Sequence, residues 1–224
     1  MAKLLFDPQQ LPIESIAGEP AVAPERLTPA WLRARFAAAS PPLWTPEEGE
    51  RVLPGREGRE PTPASVLVPL VLRPHGLTLL LTQRTAHLTD HPGQISFPGG
   101  RAEAYDADAV DTALRESEEE IGLARRHVEI LGALPRYLTG TGYCVTPVVG
   151  LIAPPFEVVA DPSEVEAIFE VPLAFLMDGA HHQRLSMELP GGRRSFYAMP
   201  YEGYYIWGAT AGMLRNLFHF LRAE

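Results

Sequence analysis

The stretch LRESEEEIG, residues 114–122, carries four glutamates within five positions, namely Glu116, Glu118, Glu119 and Glu120. Like charges packed this densely repel one another. One interpretation is a solvated acidic face of a helix, and the other is a site for a hard divalent cation. The helix by itself does not decide between these two interpretations, so the surrounding residues have to be considered.

The acidic stretch lies in a segment, residues 108–121, that carries the signals of an α-helix. Asp108 or Asp111 can cap its start, and Gly122 can end it. At about 100° per residue, three of the glutamates fall on one arc of the helix, and Glu118 points away from that arc. The opposite face carries the residues that we predict to be buried, which are Val110, Leu114, Ser117 and Ile121.

The residues just before the helix favour the cation site. FPGGR, residues 97–101, places Gly99 and Gly100 in a predicted loop, and glycine lets the backbone come close to a metal or a ligand. The carbonyl oxygen of Gly100 would then join the carboxylates as a ligand, and oxygen is the donor that Mg²⁺ prefers. Arg115 lies one turn before Glu119 and can hold its carboxylate in place.

The chain changes character near residue 63, because eleven of its 23 prolines fall at or before Pro63. We interpret residues 1–63 as an N-terminal arm packed on a main domain, residues 64–224. The main domain is predicted to be an α/β sandwich with a mixed sheet. Trp207 is expected in the core, within a closing helix over 205–223. The predicted strand segments are 65–73 and 77–84 as a hairpin, 128–138, 143–153, 165–179 running into a helix, and 184–201 as a hairpin.

Composition limits the partners and the compartment. A net charge of -9 argues against a protein that binds nucleic-acid phosphates. The single cysteine, Cys144, rules out an internal disulfide and fits a reducing cytoplasm. No stretch approaches the ~18 apolar residues of a membrane span, and the start has no signal-peptide pattern. His181 and His182 have no further ligand at zinc spacing. We therefore expect a cytoplasmic protein; its oligomeric state is left open, with a homodimer as one option.

The segment Gly100–Leu123 resembles the Nudix box, in which Gly, five residues, Glu and seven residues precede Arg-Glu-aliphatic-any-Glu-Glu-any-Gly-aliphatic. Three positions depart from that pattern. Asp106 replaces the first glutamate, one extra residue separates it from Arg115, and Ser117 replaces an aliphatic residue. The first two departures are those of the coenzyme A pyrophosphatase branch of the family. The matching residues are Gly100, Arg115, Glu116, Glu119, Glu120, Gly122 and Leu123.

A second pattern of the same branch precedes the box in LLTQRTAHLTDHPGQISFPGG, residues 80–100. Thr85 replaces a serine or alanine of that pattern. Thr89 replaces its second arginine, which removes a guanidinium suited to phosphate. The resemblance covers about residues 64–215 and includes two later stretches, around 163–173 and 205–214.

The resemblance implies a Nudix fold and metal-dependent hydrolysis of a nucleoside diphosphate derivative. It implies that Mg²⁺ or Mn²⁺ is held by Glu116, Glu119, Glu120 and the Gly100 carbonyl, with Arg115 and Glu119 taking part in catalysis. Gly99 and Gly100 are also expected at the substrate. For coenzyme A, the products would be 3′,5′-ADP and 4′-phosphopantetheine.

A carboxylate outside the box is expected to activate the attacking water, because the box carboxylates are committed to metal. Glu164 fills the matching position in the family's EVEAIFEVPL-like stretch and directly follows the turn at 161–163. Glu166 is the rival, since residues two apart share a face of an extended segment. Both can also be ordinary surface glutamates.

Several basic residues have two interpretations each. Arg84 is a candidate for a contact that positions the substrate, or it forms a structural ion pair. His87 and His91 lie in one loop and are either solvated or functional. Arg193 and Arg194 lie near a hairpin tip, where they contact a 3′-phosphate or only water.

Three functions follow from these residues. The first, which we favour, is a coenzyme A pyrophosphatase. The second is a Nudix hydrolase of ADP-ribose, NADH or an oxidised nucleotide, which Thr89 keeps open. The third is a module that senses a nucleotide without cleaving it, and the intact Glu116, Glu119 and Glu120 argue against it.

Overall fold

The computed structural model of the protein describes residues 7–39, 44–47, 49, 58–88, 92–189 and 192–224. Of the helices in these ranges, none has the length and apolar character needed to cross a membrane. The strands are β1 (Ile13–Ile16), β2 (Thr62–Arg73), β3 (Gly76–Arg84), β4 (Ile95–Ser96), β5 (Gly99–Arg101), β6 (Val128–Ala133), β7 (Tyr137–Leu138), β8 (Tyr143–Ile152), β9 (Val165–Pro172), β10 (Gln183–Leu189), β11 (Gly192–Tyr201) and β12 (Tyr204–Trp207). The α-helices are α1 (Pro29–Phe36), α2 (Ala109–Ile121), α3 (Leu173–Leu176) and α4 (Gly208–Arg222).

The larger sheet is mixed, which confirms the predicted fold class. β2 pairs in parallel with β8 and in antiparallel with β3, with which it forms the predicted hairpin. On its other side β3 pairs with β9, and β8 pairs with β6. Strands of such a sheet are buried on both faces. Here α2 packs on one face and α4 on the other.

The segment before α2 contains a strand, whereas the sequence predicted a loop. Pairing of β2 with β3 ends at Leu70 and Leu79, and residues 95–101 enter between the two strands as β4 and β5. Gly99 lies so close to β2 that a Cβ atom there would be 2.5 Å from the Cα atom of Val66. Glycine therefore permits the pairing that brings β5 against α2.

A smaller antiparallel sheet has the strand order β1–β10–β11–β12. The β10–β11 hairpin was predicted, although Pro190 and Gly191 of its turn lie outside the described residues. The predicted helix over 205–223 is wrong at its start, because Tyr204–Trp207 pairs with β11 as a strand. Aromatic residues favour that extended state. Gly208, with a φ of 61°, then turns the chain into α4.

Part of the N-terminal segment packs against the body of the protein. Leu32 of α1 is fully buried, and Arg26 and Arg35 donate hydrogen bonds to carbonyl oxygens at the end of α4. β1 joins the edge of the smaller sheet with all four of its residues exposed. The sequence did not predict β1, since such a strand has no apolar alternation. The division of the chain at residue 63 remains a prediction.

A buried arginine of α4 joins the N-terminal segment to the body. The side chain of Arg215 is 3% exposed and donates hydrogen bonds of 2.8 and 3.1 Å to the carboxylate of Glu19. Glu47 contacts Arg215 at 3.3 Å and His219 at 3.1 Å. The Nδ1 atom of His182 lies 3.0 Å from Arg215. Hydrogen bonding to Arg215 lowers the pKa of Glu19 to about 2, and burial lowers the pKa of His182 to about 4.

As the pH is lowered, the free energy of unfolding is expected to decrease in two steps. His182 stays neutral in the folded protein, so the unfolded chain binds more protons between pH 6.5 and about 4. Glu19 adds a second loss between 4.5 and about 2, because protonation removes its ion pair with Arg215. At neutral pH, Glu19→Gln should lower the free energy of unfolding by about 1–2 kcal/mol, allowing for solvent screening.

Urea unfolding of the wild type and of Glu19→Gln, at neutral pH and in steps down to about pH 3, measures both effects. The difference between the two proteins should shrink as the pH falls below 4.5. A difference that does not change with pH would contradict the ion pair.

Candidate active site

The glutamate-rich helix α2 has the bounds that the sequence predicted. Asp108 caps it, since its side chain accepts a hydrogen bond of 2.9 Å from the N–H of Asp111. Gly122 ends it in the left-handed conformation, with a φ of 65°, and donates its N–H to the carbonyl of Glu118 at 3.1 Å. Local capping therefore fixes the length of the helix independently of any ligand.

The face that α2 buries differs from the predicted one. Ala113, Ser117, Glu120 and Ile121 are buried, whereas Leu114 is only half-buried. Glu120 therefore lies on the side of the helix that meets the sheet. There the carboxylate of Glu120 accepts a hydrogen bond from the N–H of Gly99 in β5.

Ser117, where the Nudix box has an aliphatic residue, is fully buried. Its hydroxyl donates a hydrogen bond of 2.7 Å to the carbonyl oxygen of Ala113, one turn earlier. This bond satisfies the buried hydroxyl within the helix itself. The departure from the box pattern thus leaves the glutamates in place.

Glu120 is the most enclosed of the box carboxylates, with a side chain that is 5% exposed. Its Oε2 atom accepts a hydrogen bond of 3.0 Å from the N–H of Gly99, and its Oε1 atom lies 3.4 Å from Nη1 of Arg84. Burial nevertheless raises the pKa of Glu120 to about 7. A carboxylate in this environment is stabilised by additional positive charge.

Glu116 lies directly against Gly100. A Cβ atom at Gly100 would be 2.6 Å from a carboxylate oxygen of Glu116, so a larger residue would displace that carboxylate. Burial raises the pKa of Glu116, although the ion pair with Arg115 acts to lower it. The glycine predicted to approach a metal thus makes the space that one predicted ligand occupies.

Arg115 holds three carboxylates at once. Its Nε and Nη2 atoms contact the two oxygens of Asp106 at 2.8 and 2.9 Å, and its Nη1 atom contacts Glu116 and Glu119 at 2.9 Å each. Asp106, which replaces the first glutamate of the box, is 3% exposed and also accepts a hydrogen bond from Thr112 at 2.8 Å. The Arg115 guanidinium holds the pKa of Asp106 well below its usual range.

This anchoring role of Asp106 was not predicted, although its place in the box pattern was a signal for it. A bidentate arginine–carboxylate pair fixes the orientation of the guanidinium. Arg115 is therefore a positioning residue for Glu116 and Glu119 in this structure. Its contact with Glu119 is the one that the helical spacing predicted.

The glutamates of the predicted arc do not all converge. Glu119 is 57% exposed and is held on the solvent side by Arg115, whereas Glu116 and Glu120 face the sheet. The arc therefore straddles the edge of the contact between α2 and the sheet. One part of it faces the sheet and the other part faces solvent. Glu118 is paired with Arg125 at 3.0 Å, in agreement with its predicted exclusion from the site.

Two residues outside the box reach the same place. Nη2 of Arg84 lies 3.9 Å from the carboxylate of Glu164, in addition to its contact with Glu120. The charge of Glu164 adds to the effect of burial in raising the pKa of both Glu116 and Glu120. Glu166 is exposed, where the pairing of β9 with β3 shifts register. The structure thus brings Glu164 beside the box carboxylates.

The loop residues next to Arg84 are only partly described. The Nε2 atom of His87 lies 3.2 Å from the carbonyl oxygen of Ser163, which joins this loop to the turn before β9. Thr89 and His91 lie outside the described residues, so their predicted roles are untested.

The arginines of the smaller sheet lie in other surroundings. Arg193 forms an ion pair with Glu14 and donates a hydrogen bond of 3.0 Å to Ser186. Arg194 lies on the same strand, β11. The described contacts of Arg193 give no support to the predicted contact with a 3′-phosphate.

The donor set of this site fits a divalent cation in its chemistry. Two largely buried carboxylates lie against β5, Glu116 beside Gly100 and Glu120 beside Gly99, and burial raises the pKa of each. In the described residues, however, no three acidic, histidine or cysteine side chains stand close enough to hold a metal. Arg115 engages one oxygen of Glu116 and one oxygen of Glu119, so the second oxygen of each carboxylate is not held by the arginine.

An acidic helix packed on a glycine-rich strand of a mixed sheet agrees with the Nudix fold that the resemblance predicted. The family model described as "NUDIX domain" matches residues 61–189, which is more than half of the chain. The chain therefore belongs to the Nudix hydrolase family. It is similar to "Uncharacterized Nudix hydrolase NudL" of Escherichia coli K12, with 45% identity over 154 residues that cover 69% of this chain and 80% of NudL. NudL of Shigella boydii serotype 18 is 44% identical over the same length.

Solved structures of other Nudix proteins are more distant. A C. elegans Ap4A hydrolase binary complex has 19% identity and a TM-score of 0.44, covering 49% of this chain and 80% of that one. RenU, a Nudix hydrolase from M. smegmatis, has 21% identity and a TM-score of 0.43, covering 51% and 72%. At these values neither structure carries an argument about substrate.

Replacing Asp106 by Asn should release Arg115. The loss of the two charge-assisted hydrogen bonds to Arg115 is expected to lower the free energy of unfolding, and to do so more than a control substitution nearby. Asp108→Asn is the matched control, because Asn caps a helix as well as Asp does. Chemical denaturation of both variants measures the effect, and equal stabilities would show that the Asp106–Arg115 pair contributes nothing.

Proposed function

We propose that the protein hydrolyses the diphosphate bond of coenzyme A, giving 3′,5′-ADP and 4′-phosphopantetheine. The observation that carries the proposal is the altered box. The shifted Asp106, a feature of the coenzyme A pyrophosphatase branch, forms a buried bidentate pair with Arg115. The match over residues 80–100 supports the same branch.

Within this proposal, the oxygens of Glu116, Glu119, Glu120 and the Gly100 carbonyl hold Mg²⁺ or Mn²⁺. A bound divalent cation supplies positive charge that offsets the charge developing on the phosphate oxygens. Arg115 positions two of these carboxylates. Its links to them are direct hydrogen bonds, so the arginine sets their resting orientation.

The substrate is oriented by residues at the edge of this site. Arg84 now forms two long contacts, at 3.4 Å with Glu120 and at 3.9 Å with Glu164. To bind a phosphate, Arg84 has to give up part of this pairing. Gly99 and Gly100 let the diphosphate approach the backbone of β5. Glu164, 49% exposed, accepts the proton of the attacking water.

A second candidate is hydrolysis of another nucleoside diphosphate derivative, such as ADP-ribose or NADH. The observation that favours it is Thr89, which replaces an arginine of the branch pattern. Chromatographic quantification of the nucleotide products, with Mg²⁺ and with coenzyme A, 3′-dephospho-coenzyme A, ADP-ribose or NADH as substrate, separates the two. We expect the highest kcat/KM for coenzyme A. Its preference over the 3′-dephospho form should be modest, because Thr89 in place of arginine removes one charge-assisted contact, worth about 1.5–3 kcal/mol. Faster cleavage of ADP-ribose would select the second candidate.

Glu120→Gln should remove most of the activity while the protein stays folded. Losing one charged group at a phosphoryl-transfer site is expected to lower kcat by about 10²-fold or more. Without metal, the melting temperature should hold or rise, because burial disfavours the charge that this change removes. Glu119→Gln should also lower activity, and Glu118→Gln on the same helix is the control.

Steady-state assays with Mg²⁺ or Mn²⁺ and thermal unfolding check this prediction. Near-normal turnover of both Glu119→Gln and Glu120→Gln would contradict the metal assignment. So would a wild-type melting temperature that does not respond to Mn²⁺, since a ligand bound only by the folded state must stabilise it.

Glu164→Gln should lower kcat by about 10²–10⁴, the usual contribution of a general base. The change in metal affinity should be small, because Glu164 lies outside the box. Glu166→Gln, two residues further on, is the matched control and should stay within a few-fold of the wild type. The opposite ranking of the two variants in a pH–rate series would identify Glu166 as the base.

A further inference from the structure

A pocket of about 260 Å³ opens at the end of β3, away from the box carboxylates. Consecutive residues of a strand face opposite sides of a sheet. Leu80 packs with the α2 cluster and Leu81 with the α4 cluster, so Arg84 faces α2 and Gln83 faces the α4 side. Gln83 lines the pocket together with Asp7, Pro8, Gln9, Pro92, Gly93, Gln94, Ile95, Gly203, Tyr204, Tyr205 and Trp207.

We propose that this pocket binds the adenine base of the nucleotide substrate. The inference rests on the proposed function, whose substrate carries an adenine next to the diphosphate. Whole ligands of drug size occupy about 300–1,000 Å³. A pocket of about 260 Å³ therefore suits one ring system of a larger ligand.

Three aromatic residues of β12 with fixed side-chain orientations line the pocket, Tyr204 on the strand face that packs with the α4 cluster and Tyr205 and Trp207 on the opposite face. The ring of Tyr204 stacks on Phe169 with centroids 3.6 Å apart, and Trp207 packs edge-on against Phe196 at 5.3 Å. The hydroxyl of Tyr205 donates a hydrogen bond of 3.3 Å to the carbonyl oxygen of Pro8. Rings that are held in place stack on a base at a low cost in conformational entropy, and such stacking contributes about 1–3 kcal/mol per base.

Carboxamides supply the polar recognition. Gln83 is half-buried, and its carboxamide makes no hydrogen bond with any residue in the described part of the chain. A glutamine presents a donor and an acceptor side by side, which matches the N6 and N7 edge of adenine. Gln9 and Gln94 add further carboxamides to the lining.

The charge of the pocket favours a base over a phosphate. Among its lining residues only Asp7 is charged, and Asp7 already accepts hydrogen bonds of 3.0 Å from Gln9 and Gln10. A phosphate would meet no cation from this lining and one carboxylate. We therefore expect the phosphates to bind on the α2 side of the sheet, where Arg84 lies.

The pocket and the α2 side are connected through the end of one strand. Gln83 and Arg84 are adjacent, with Cα atoms about 3.8 Å apart. The N–H of Arg84 donates to the carbonyl of Gln94 at 2.9 Å, and the N–H of Gly93 donates to the carbonyl of Arg84 at 3.1 Å. The pocket therefore lies at the same end of β3 as Arg84, whose side chain contacts Glu120 and Glu164 on the other face.

A larger pocket of about 580 Å³, at the start of β2, does not suit this ligand. Its lining includes Glu60, Glu103, Asp106 and Asp108 but a single arginine, Arg136. Four carboxylates against one guanidinium repel a phosphorylated molecule. The smaller pocket is thus the better match in charge as well as in shape.

Isothermal titration without metal tests the pocket with AMP and with ribose 5-phosphate, which lacks the base. The wild type should bind AMP at least about tenfold more tightly than ribose 5-phosphate. Gln83→Leu keeps the size of the side chain and should weaken AMP binding about tenfold, the loss of one or two hydrogen bonds. Gln183→Leu, in β10 outside the pocket, is the matched control and should bind AMP as the wild type does.

The same variants are assayed for coenzyme A cleavage. Gln83→Leu should raise KM about tenfold and leave kcat within about twofold, because base contacts are equal in ground and transition states. Photolabelling of the wild type with 8-azido-AMP, followed by peptide mapping, should mark Tyr204, Tyr205 or Trp207. This labelling tests the pocket even where Gln83→Leu does not fold.

Equal AMP binding by wild type and Gln83→Leu, or labelling elsewhere, would overturn the pocket while leaving coenzyme A cleavage intact. Cleavage of ADP-ribose but not coenzyme A would overturn the proposed substrate, and AMP binding would still support the pocket. Binding of AMP no tighter than that of ribose 5-phosphate would overturn the pocket whichever substrate is cleaved.

Discussion

One guanidinium holds three carboxylates at the edge of the candidate site. Arg115 is held by the buried Asp106 through two hydrogen bonds, and it holds Glu116 and Glu119 through two more. Without this cation, carboxylates so close together would repel one another and shift towards their protonated forms. The aspartate that departs from the box pattern therefore preserves the electrostatic balance of the helix.

The second constraint is the close approach of a strand to that helix. β5 can lie beside β2 because Gly99 has no side chain, and Glu116 fits against β5 because Gly100 has none. Glu120 lies inward beside the same strand, where it accepts the N–H of Gly99 and where burial raises its pKa to about 7. Two glycines thus set how closely β5 approaches β2 and the carboxylate of Glu116.

The two faces of the larger sheet carry different chemical groups. The α2 face carries the carboxylates and Arg84, and the opposite face carries a pocket of aromatic and carboxamide groups beginning at Gln83. On that second face, α4 also meets the N-terminal segment through Arg215, whose charge is balanced by Glu19 and Glu47. Packing of the N-terminal segment therefore supplies part of the pocket wall as well as part of the core.

The sequence alone determined the helix over 108–121, its caps, the β2–β3 hairpin and the Nudix resemblance, because each depends on residues close together in the chain. Tertiary structure decided that Glu120 is buried and that Glu119 is exposed. Helical periodicity places side chains on an arc, but only the packed strand determines which edge of the arc faces inward. The strand states of Gly99–Arg101 and Tyr204–Trp207 were missed for the same reason, since their pairing partners are set by the fold.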